Sequence, residues 1–501
     1  MGNGSTRRRI AGVLTVAALL LVACGDDDDD GGGAAATAGA PATDAGASEE
    51  TTAETTAESA PADTAAQDTA PAATEPVASE PADEGGDGGG EAASGEMIIQ
   101  PGECGLNTGE EATGEPIRLG GAATNVPGVD FTWGPKMSQI YFDCVNANGG
   151  IYGHPIEYTY EDGAPDPAVW TAIATKLVEE DQVLGVVGTF SLVECDVNGD
   201  YYEQNGYHPI IAGVAPGCFL SDQWSAVNMG PYYSMLGGAQ AALNAGATGK
   251  LVAASPNQPG MDFNNTAVES IAKVEGLEYE GVLEDVPIAD PAGFAQRLVQ
   301  MAGPDGAVIL DFTGPTVTPL LEAISQQGLV DEVVWASSTP PNDPSVAEAL
   351  ADCCGSDWDG KLLINAEFDL LDSGKPDAEL MLRLHEEAGA DFPVSSFAQM
   401  GFLNAKVATE ALLRMGEGAE YTIESVNDAF YTLTDMESDM WCRPWYYSSG
   451  ADLANVSNNT DRTVVPEGGV MVQTEDCFDI LATPDNDLEA IREFEVSQGW
   501  R

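Results

Sequence analysis

Beyond residue 115 the sequence alternates short apolar runs with longer segments in which apolar side chains recur every three or four positions. Short apolar runs predict buried strands, and a period near 3.6 residues predicts amphipathic helices. The predicted strands cover residues 117–123, 156–161, 183–187, 210–214, 250–254, 281–286, 307–312 and 332–336. The predicted helices cover residues 133–148, 232–244, 265–274, 291–302, 315–327, 377–388, 397–415 and 423–433. Two more are predicted, one that begins at Asp166-Pro167 and another that includes Tyr202. Strands alternating with helices form right-handed βαβ units, so the two runs predict an α/β protein with two doubly wound parallel-sheet lobes.

The first residues predict an export signal instead of a folded element. Arg7, Arg8 and Arg9 precede an apolar run that ends in Leu21-Val22-Ala23-Cys24. A charged start, a short apolar stretch and small residues before a cut are typical of a secretory signal, here residues 1–23, and the run is short for a membrane span. The Leu-Val-Ala-Cys segment resembles the bacterial lipobox, which implies cleavage before Cys24 and a lipid anchor at that cysteine on the extracytoplasmic face of the cell membrane.

Composition separates a tether from the folded part. Residues 24–96 contain 19 acidic residues, no basic residue and one large apolar side chain, Val77. Such a segment buries too little apolar surface to offset its ordering entropy, so we expect a disordered tether. The remaining 405 residues hold 63 acidic and 15 basic residues. This negative charge argues against nucleic acid as a partner, because binding to phosphates requires Lys and Arg.

Four segments in the folded part carry motifs that occur together in one family. Residues 146–153 are similar to an N-x-x-GGI-x-G turn, and residues 162–167 are similar to a D-x-x-x-D-P helix start. Residues 186–188 are similar to a third strand, and residues 202–211 to the segment that leads into a fourth. In this order the segments resemble type I solute-binding proteins, of which the branched-chain amino-acid binding lipoproteins of ABC transporters are the best known. The resemblance implies two lobes joined by three crossings, with the ligand held in the cleft between them.

The family fold also implies the domain limits and the cysteine pairs. Crossings are expected near residues 228–231, 363–368 and 443–447, with lobe 1 formed by residues 97–230 plus 365–442 and lobe 2 by residues 231–364 plus 443–501. Eight cysteines besides Cys24 in an exported chain predict disulfides, although spacing alone permits 105 pairings. Proximity in this fold favours Cys195–Cys218 and Cys442–Cys477, which leaves Cys104–Cys144 and the vicinal pair Cys353–Cys354.

Catalytic and metal-binding motifs do not emerge from the sequence. A G-x-S-x-G elbow and a dinucleotide fingerprint are missing, and Gly246-Ala-Thr-Gly-Lys250 has the wrong spacing for a phosphate loop. His154, His208 and His385 stand singly, so no zinc site is predicted. We therefore expect a monomeric binding protein without cofactor that delivers a small solute to an ABC permease. A sensory subunit of the same fold is the alternative, and a secreted α/β hydrolase is less favoured because His208 precedes a strand.

The candidate ligand-binding residues follow from the topology of α/β sheets. Ligands bind beyond the carboxyl ends of the strands, and the loops at those ends contain Trp133, Phe190, Ser191, Ala215, Gln258, Asp262, Phe312, Thr313, Ser338 and Thr339. Relatives that bind amino acids hold the carboxylate with hydroxyls and backbone N–H groups, yet this chain has Leu192 and Val193 where Ser and Thr are usual. The nominated residues include no Arg or Lys. We therefore expect a neutral, zwitterionic or cationic solute, such as an amino acid or amide, stacked on Trp133 or a Phe ring.

Overall fold

The computed structural model describes residues 97–126, 129–219, 221–447, 460–486 and 488–501. The expected export signal over residues 1–23, the lipidation site Cys24 and the expected tether over residues 24–96 lie outside this part of the chain. Within the described ranges, no helix combines the length and the hydrophobicity that a bilayer crossing requires.

The first lobe is built on a sheet of six strands. They are β1 (Ile117–Val126), β2 (Val129–Asp130), β3 (Ile156–Gly163), β4 (Gly185–Thr189), β5 (Ile210–Ile211) and β6 (Ser225–Ala226). Five of them run parallel in the spatial order β3-β1-β4-β5-β6, and β2 folds back antiparallel onto the end of β1. Because β1 lies inside the sheet and the chain moves to both sides of it, the lobe is doubly wound.

Helices cover both faces of the first sheet. They are α1 (Trp133–Ala147), α2 (Pro167–Thr175, continued by a π-helical turn), α3 (Glu194–Gln204), α9 (Pro376–Glu387), α10 (Ser396–Arg414) and α11 (Ile423–Tyr431). α2 begins as its sequence predicts, since Asp166 Oδ1 accepts a hydrogen bond from the N–H of Ala168 at 2.9 Å. α10 is buried along almost its whole length and packs on α1. The contact is close because Gly401 has no side chain: a Cβ there would lie 2.1 Å from the carbonyl oxygen of Gly134.

The second lobe contains a sheet of seven strands. They are β7 (Leu251–Pro256), β8 (Tyr279–Glu284), β9 (Ala307–Leu310), β10 (Val334–Ser337), β11 (Leu362–Ala366), β12 (Thr460–Glu467) and β13 (Val470–Asp479). The spatial order is β8-β7-β9-β10-β11-β12-β13. The helices of this lobe are α4 (Gly230–Asn244), α5 (Met261–Glu275), α6 (Pro291–Ala302), α7 (Gly314–Gln326), α8 (Pro344–Cys354) and α12 (Leu488–Gln498). The expectation of two doubly wound lobes is confirmed.

One edge of the second sheet differs from the all-parallel expectation. β12 pairs antiparallel with β11, and β13 pairs antiparallel with β12. The sequence did not predict this hairpin because the buried positions of β12 include Thr460, Asp461 and Arg462, which break any apolar period. β11, α8 and α12 were also not predicted, although Asp343-Pro344 at the start of α8 has the same cap-then-proline order as α2.

The chain passes between the two sheets three times, and hydrogen bonds tie these passages together. Glu367, which follows β11, accepts a bond from the N–H of Met229 at 2.9 Å. Two indole N–H groups, of Trp441 and Trp445, donate to the carbonyls of Val227 and Ala226 at 3.1 and 2.8 Å. The described parts of the three passages therefore lie side by side.

Four disulfides join the cysteines in the pairs that the sequence favoured. Cys104 pairs with Cys144, Cys195 with Cys218, Cys353 with Cys354, and Cys442 with Cys477. Cys195–Cys218 links the start of α3 to the turn after β5, which is a loop at the carboxyl end of the first sheet. It therefore ties two loops at this end of the first sheet to each other.

Candidate functional site

A cleft with two adjoining compartments lies between the carboxyl ends of the strands of both sheets. The first, here called the apolar compartment, has a cavity volume of about 80 Å³. It is lined by Val129, Phe131, Leu192, Val214, Pro231, Pro256, Gln258, Met261, Val286, Asp311, Phe312, Thr313, Thr316, Pro340 and Phe397. The residues come from loops of both lobes, so a molecule bound here contacts both.

The second, here called the acidic compartment, has a cavity volume of about 170 Å³. It is lined by Val129, Asp130, Trp133, Thr313, Gly314, Pro315, Pro340, Asp343 and Phe397. The four residues common to both lists, among them Thr313 and Phe397, form the boundary between the compartments. A wider groove of about 480 Å³ adjoins the acidic compartment at Asp343 and runs along α8 and the β12–β13 turn.

Four of the ten predicted ligand-binding residues line the cleft. Trp133 stands at the start of α1 in the acidic compartment, and Thr313 reaches both compartments. Gln258 and Phe312 belong to the wall of the apolar compartment. Their part in ligand binding stays a prediction.

The other six predicted residues do not line either compartment. Phe190 is fully buried, with its ring packed over Gly134, and Ala215 is buried before the turn that holds Cys218. Asp262 is exposed in the first turn of α5. A hydrogen bond to the protein occupies each of the three hydroxyls, of Ser191, Ser338 and Thr339.

Several wall residues were not predicted because they come from segments that are distant in the sequence. The rings of Phe131 and Phe397 meet with centroids 5.0 Å apart, although one follows β2 and the other lies in the first turn of α10. Leu192 stands where Ser or Thr is usual in relatives that bind amino acids, and in the structure it lines the apolar compartment. An apolar residue at this position is therefore the sequence signal that indicates an apolar wall.

Two carboxylates of the acidic compartment organise the loops that carry them. Asp130 Oδ1 accepts bonds from the N–H and the hydroxyl of Thr132, at 2.9 and 2.7 Å. Asp343 Oδ1 accepts the N–H of Ser345 at 2.8 Å and so caps α8. All three bonds are local, so each carboxylate has a defined position at the compartment wall.

A network of buried polar groups lies behind the wall of the second lobe. Asp311 accepts bonds from the hydroxyl of Ser338 at 2.6 Å and from Asn264 Nδ2 at 3.3 Å. Glu367 accepts a bond from Thr339 at 3.2 Å. Burial raises the pKa of Asp311, and burial raises the pKa of Glu367 to about 7 against the bonds that favour its charged form. These carboxyl groups are buried beside neutral donors.

The arrangement is suited to binding a small molecule. Among the described residues, no group of three or more His, Cys, Asp or Glu side chains is placed to hold a metal ion. His208 is buried beside Ser225, 2.7 Å from Nε2 to Oγ, and burial lowers its pKa to about 3. Its ring therefore stays neutral and packs within the first lobe. The cleft at the strand ends therefore lets one small molecule contact residues of both lobes.

Comparison with known proteins identifies the family. The model of the periplasmic binding protein family matches residues 126–452, so the chain belongs to that family. None of the curated proteins matches the chain in sequence. Among solved structures, the fold is similar to a fatty acid ABC transporter substrate-binding protein from Thermomonospora curvata, with 17% identity, a TM-score of 0.63, and coverage of 74% of this chain and 94% of that one.

Two further structures have the same fold. A branched-chain amino acid ABC transporter protein from Thermus thermophilus with bound valine is 14% identical, with a TM-score of 0.60 and coverage of 73% of this chain and 97% of that one. A solute-binding protein from R. palustris in complex with 4-hydroxybenzoate is 18% identical, with a TM-score of 0.58 and coverage of 73% and 98%. At these identities the likeness concerns the fold.

Proposed function

We propose that this protein is an extracytoplasmic, lipid-anchored substrate-binding protein that captures a small solute in the cleft and delivers it to an ABC permease. The observation that carries the proposal is that both lobes contribute strand-end residues, such as Phe131 and Phe312, to one apolar compartment. A ligand that contacts both walls stabilises the closed arrangement of the lobes. The protein acts without catalysis, without cofactor and as a monomer.

The division into lobes is part of this proposal. Lobe 1 comprises residues 97–230 plus 365–442, and lobe 2 comprises residues 231–364 plus 443–501. The buried clusters support it, since one contiguous core joins the first sheet to α9, α10 and α11, and separate cores surround the second sheet. Relatives of the same fold that hold valine or 4-hydroxybenzoate support a solute of similar size.

The first experiment identifies the solute and tests the closure. Mass spectrometry of protein purified from cells without dialysis should detect a bound small molecule, and its addition to ligand-free protein should reduce the radius of gyration in small-angle scattering. A saturating ligand that produces no contraction would contradict the hinged mechanism. A solute that closes the protein but is not taken up by cells would favour the sensory alternative.

The second experiment concerns the anchor. Replacing the acyl acceptor in Cys24→Ser should release the protein from the membrane or leave it unprocessed. Deletion of residues 30–90 serves as the control, and it should leave the affinity for the solute unchanged. Membrane attachment of processed Cys24→Ser at the level of the unaltered protein would contradict lipidation at this residue.

A further inference from the structure

The two compartments of the cleft differ in the chemistry of their walls. The apolar compartment is walled by Phe131, Leu192, Met261 and Phe312, among other apolar side chains. These groups offer dispersion contacts and desolvation to an apolar body, and few hydrogen bonds. Its one carboxyl group, on Asp311, already accepts two bonds from neighbouring side chains and is nearly buried.

The acidic compartment offers negative charge and an aromatic face. Asp130 and Asp343 line it from opposite lobes, with Trp133 beside them. Their bonds to Thr132 and Ser345 use only Oδ1, which leaves Oδ2 of each carboxylate, among the described residues, for a ligand. Carboxylates together with an indole face attract a cation.

Helix N-termini normally favour anions because their backbone N–H groups can donate hydrogen bonds. At the acidic compartment, several of these N–H groups are missing or already bonded. α7 and α8 begin at this compartment, and a proline near each start, Pro315 and Pro344, removes one N–H. The next N–H of α8 is taken by Asp343, and the N–H of Thr132 before α1 is taken by Asp130. At the starts of α1 and α8, the protein's own carboxylates therefore occupy the positions at which a ligand carboxylate would bind.

Basic side chains do not compensate for these acids. The linings of both compartments contain no Lys, Arg or His among the described residues. Lys136, in the first turn of α1, does not line the cleft. A ligand anion would thus meet two carboxylates without a counter-charge, and desolvating it there is costly.

We propose that the cleft takes an organic cation, an amine with an apolar body and no carboxylate. The body lies in the apolar compartment between Phe131 and Phe312, and the ammonium group lies in the acidic compartment against Trp133, Asp130 and Asp343. This inference rests on the proposed function and narrows its range of neutral, zwitterionic and cationic solutes to one class.

A series of probes with one apolar body and different head groups tests the charge preference. At pH 7, calorimetry with ligand-free protein compares 2-phenylethylamine (cation), 3-phenylpropanamide (neutral), phenylalanine (zwitterion) and 3-phenylpropanoate (anion). We expect the cation to bind at least tenfold more tightly than the neutral amide, and the two carboxylate-bearing probes to bind more weakly than the amide. Equal or tighter binding of 3-phenylpropanoate or phenylalanine overturns the proposal.

Matched variants locate the preference in the acidic compartment. Asp343→Asn removes the charge but keeps a helix cap, because Asn caps as well as Asp. It should lower the affinity for 2-phenylethylamine at least fivefold and leave that for 3-phenylpropanamide unchanged. Asp352→Asn, an exposed position of the same helix, is the control and should change neither. An unchanged preference for the cation in Asp343→Asn overturns the assignment.

The outcomes separate this inference from the function on which it rests. If none of the four probes binds while a co-purified solute contracts the protein, the organic cation is wrong and the solute-binding function stands. If no solute binds or contracts the protein, both fail.

Discussion

Buried carboxyl groups have different partners in two regions of this molecule. In the first lobe, Lys406 Nζ lies 2.6 Å from Asp377, and both side chains are fully buried. The same carboxylate accepts bonds from the hydroxyl of Ser438 at 2.6 Å and from the N–H of Gly102 at 2.8 Å. Nearby, Glu410 pairs with Arg414 at 2.8 Å and accepts the N–H groups of Ile98 and Ile99.

The region behind the cleft contains acids with mainly neutral partners. Glu367 and Asp311 accept bonds from hydroxyl, amide and backbone donors, and burial raises the pKa of each. Asp461 is fully buried, and burial together with the charge of Glu367 raises its pKa. Asp377 and Glu410, which join elements of the first lobe, thus have cations as partners. Glu367, Asp311 and Asp461 have mainly neutral partners, and the pKa of each is raised.

The largest effect is expected from breaking the ion pair of the first lobe. Lys406→Met leaves the buried carboxylate of Asp377 without its cation, which should lower the free energy of unfolding by about 3–5 kcal/mol. Urea denaturation measures the loss. The double variant Lys406→Met with Asp377→Leu should recover part of it because no uncompensated charge remains.

The matched control is an exposed pair. Lys273 and Glu269 are 3.2 Å apart on the surface of α5, so Lys273→Met should cost less than about 0.5 kcal/mol. A similar loss in both lysine variants would contradict the importance of burial.

Glu194 tests whether the partner or the lobe decides the pKa. It lies in the first lobe, accepts bonds from Tyr202 and Asn198, and burial raises its pKa to about 8 from 4.5. A raised pKa means that its contribution to stability is complete below pH 4.5 and is lost as the pH rises to about 8. Relative to the unaltered protein, Glu194→Gln should gain stability across this window, at up to about 1.4 kcal/mol for each pH unit.

Denaturation at several pH values between 4 and 9 measures this difference. Glu179→Gln, at a more exposed position near α3, provides the control and should track the unaltered protein. If the difference in the free energy of unfolding between Glu194→Gln and the unaltered protein does not change with pH, the Glu194 carboxyl is ionised in the folded protein.

Glu367, which follows β11, provides a second test of how burial without a cation partner raises the pKa of a carboxyl group. Its pKa is raised from 4.5 to about 7 by burial, so its contribution is complete below pH 4.5 and disappears as the pH rises to about 7. Glu367→Gln should gain stability relative to the unaltered protein with the same limiting slope of about 1.4 kcal/mol for each pH unit, but over this narrower window, so its total gain should be smaller. Above pH 8 the two curves should run parallel, and a difference that continues to grow there would contradict the assignment.

The smallest effect is expected at the cleft itself. Trp133→Ala removes the aromatic face of the acidic compartment and should weaken binding of the co-purified solute about tenfold, or about 1.4 kcal/mol. Calorimetry measures the change, with Phe494→Ala as an aromatic control in α12. Stability should change little because Trp133 is only partly buried. An unchanged affinity would remove Trp133 from the site.

The sequence by itself determined most of the helices and parallel strands and their order. Apolar periodicity, the Asp166-Pro167 helix start and glycine-rich turns act over a few residues, and βαβ handedness then leaves few topologies. The antiparallel strand β12 was not predicted because its buried side chains include Asp461 and Arg462, whose burial depends on neighbours in other elements.

Only the tertiary structure decided the walls of the cleft and the partners of the buried charges. Phe131 meets Phe397, and Lys406 meets Asp377, because packing joins segments that no local pattern relates. Ser338 and Thr339 stand at a strand end, as the sequence predicts, yet their hydroxyls bond to Asp311 and to Ser234 and Glu367, and neither lines the cleft. The rule that ligands bind beyond the carboxyl ends of the strands predicts which loops surround a site. The direction of each side chain in those loops depends on the hydrogen bonds and packing around it.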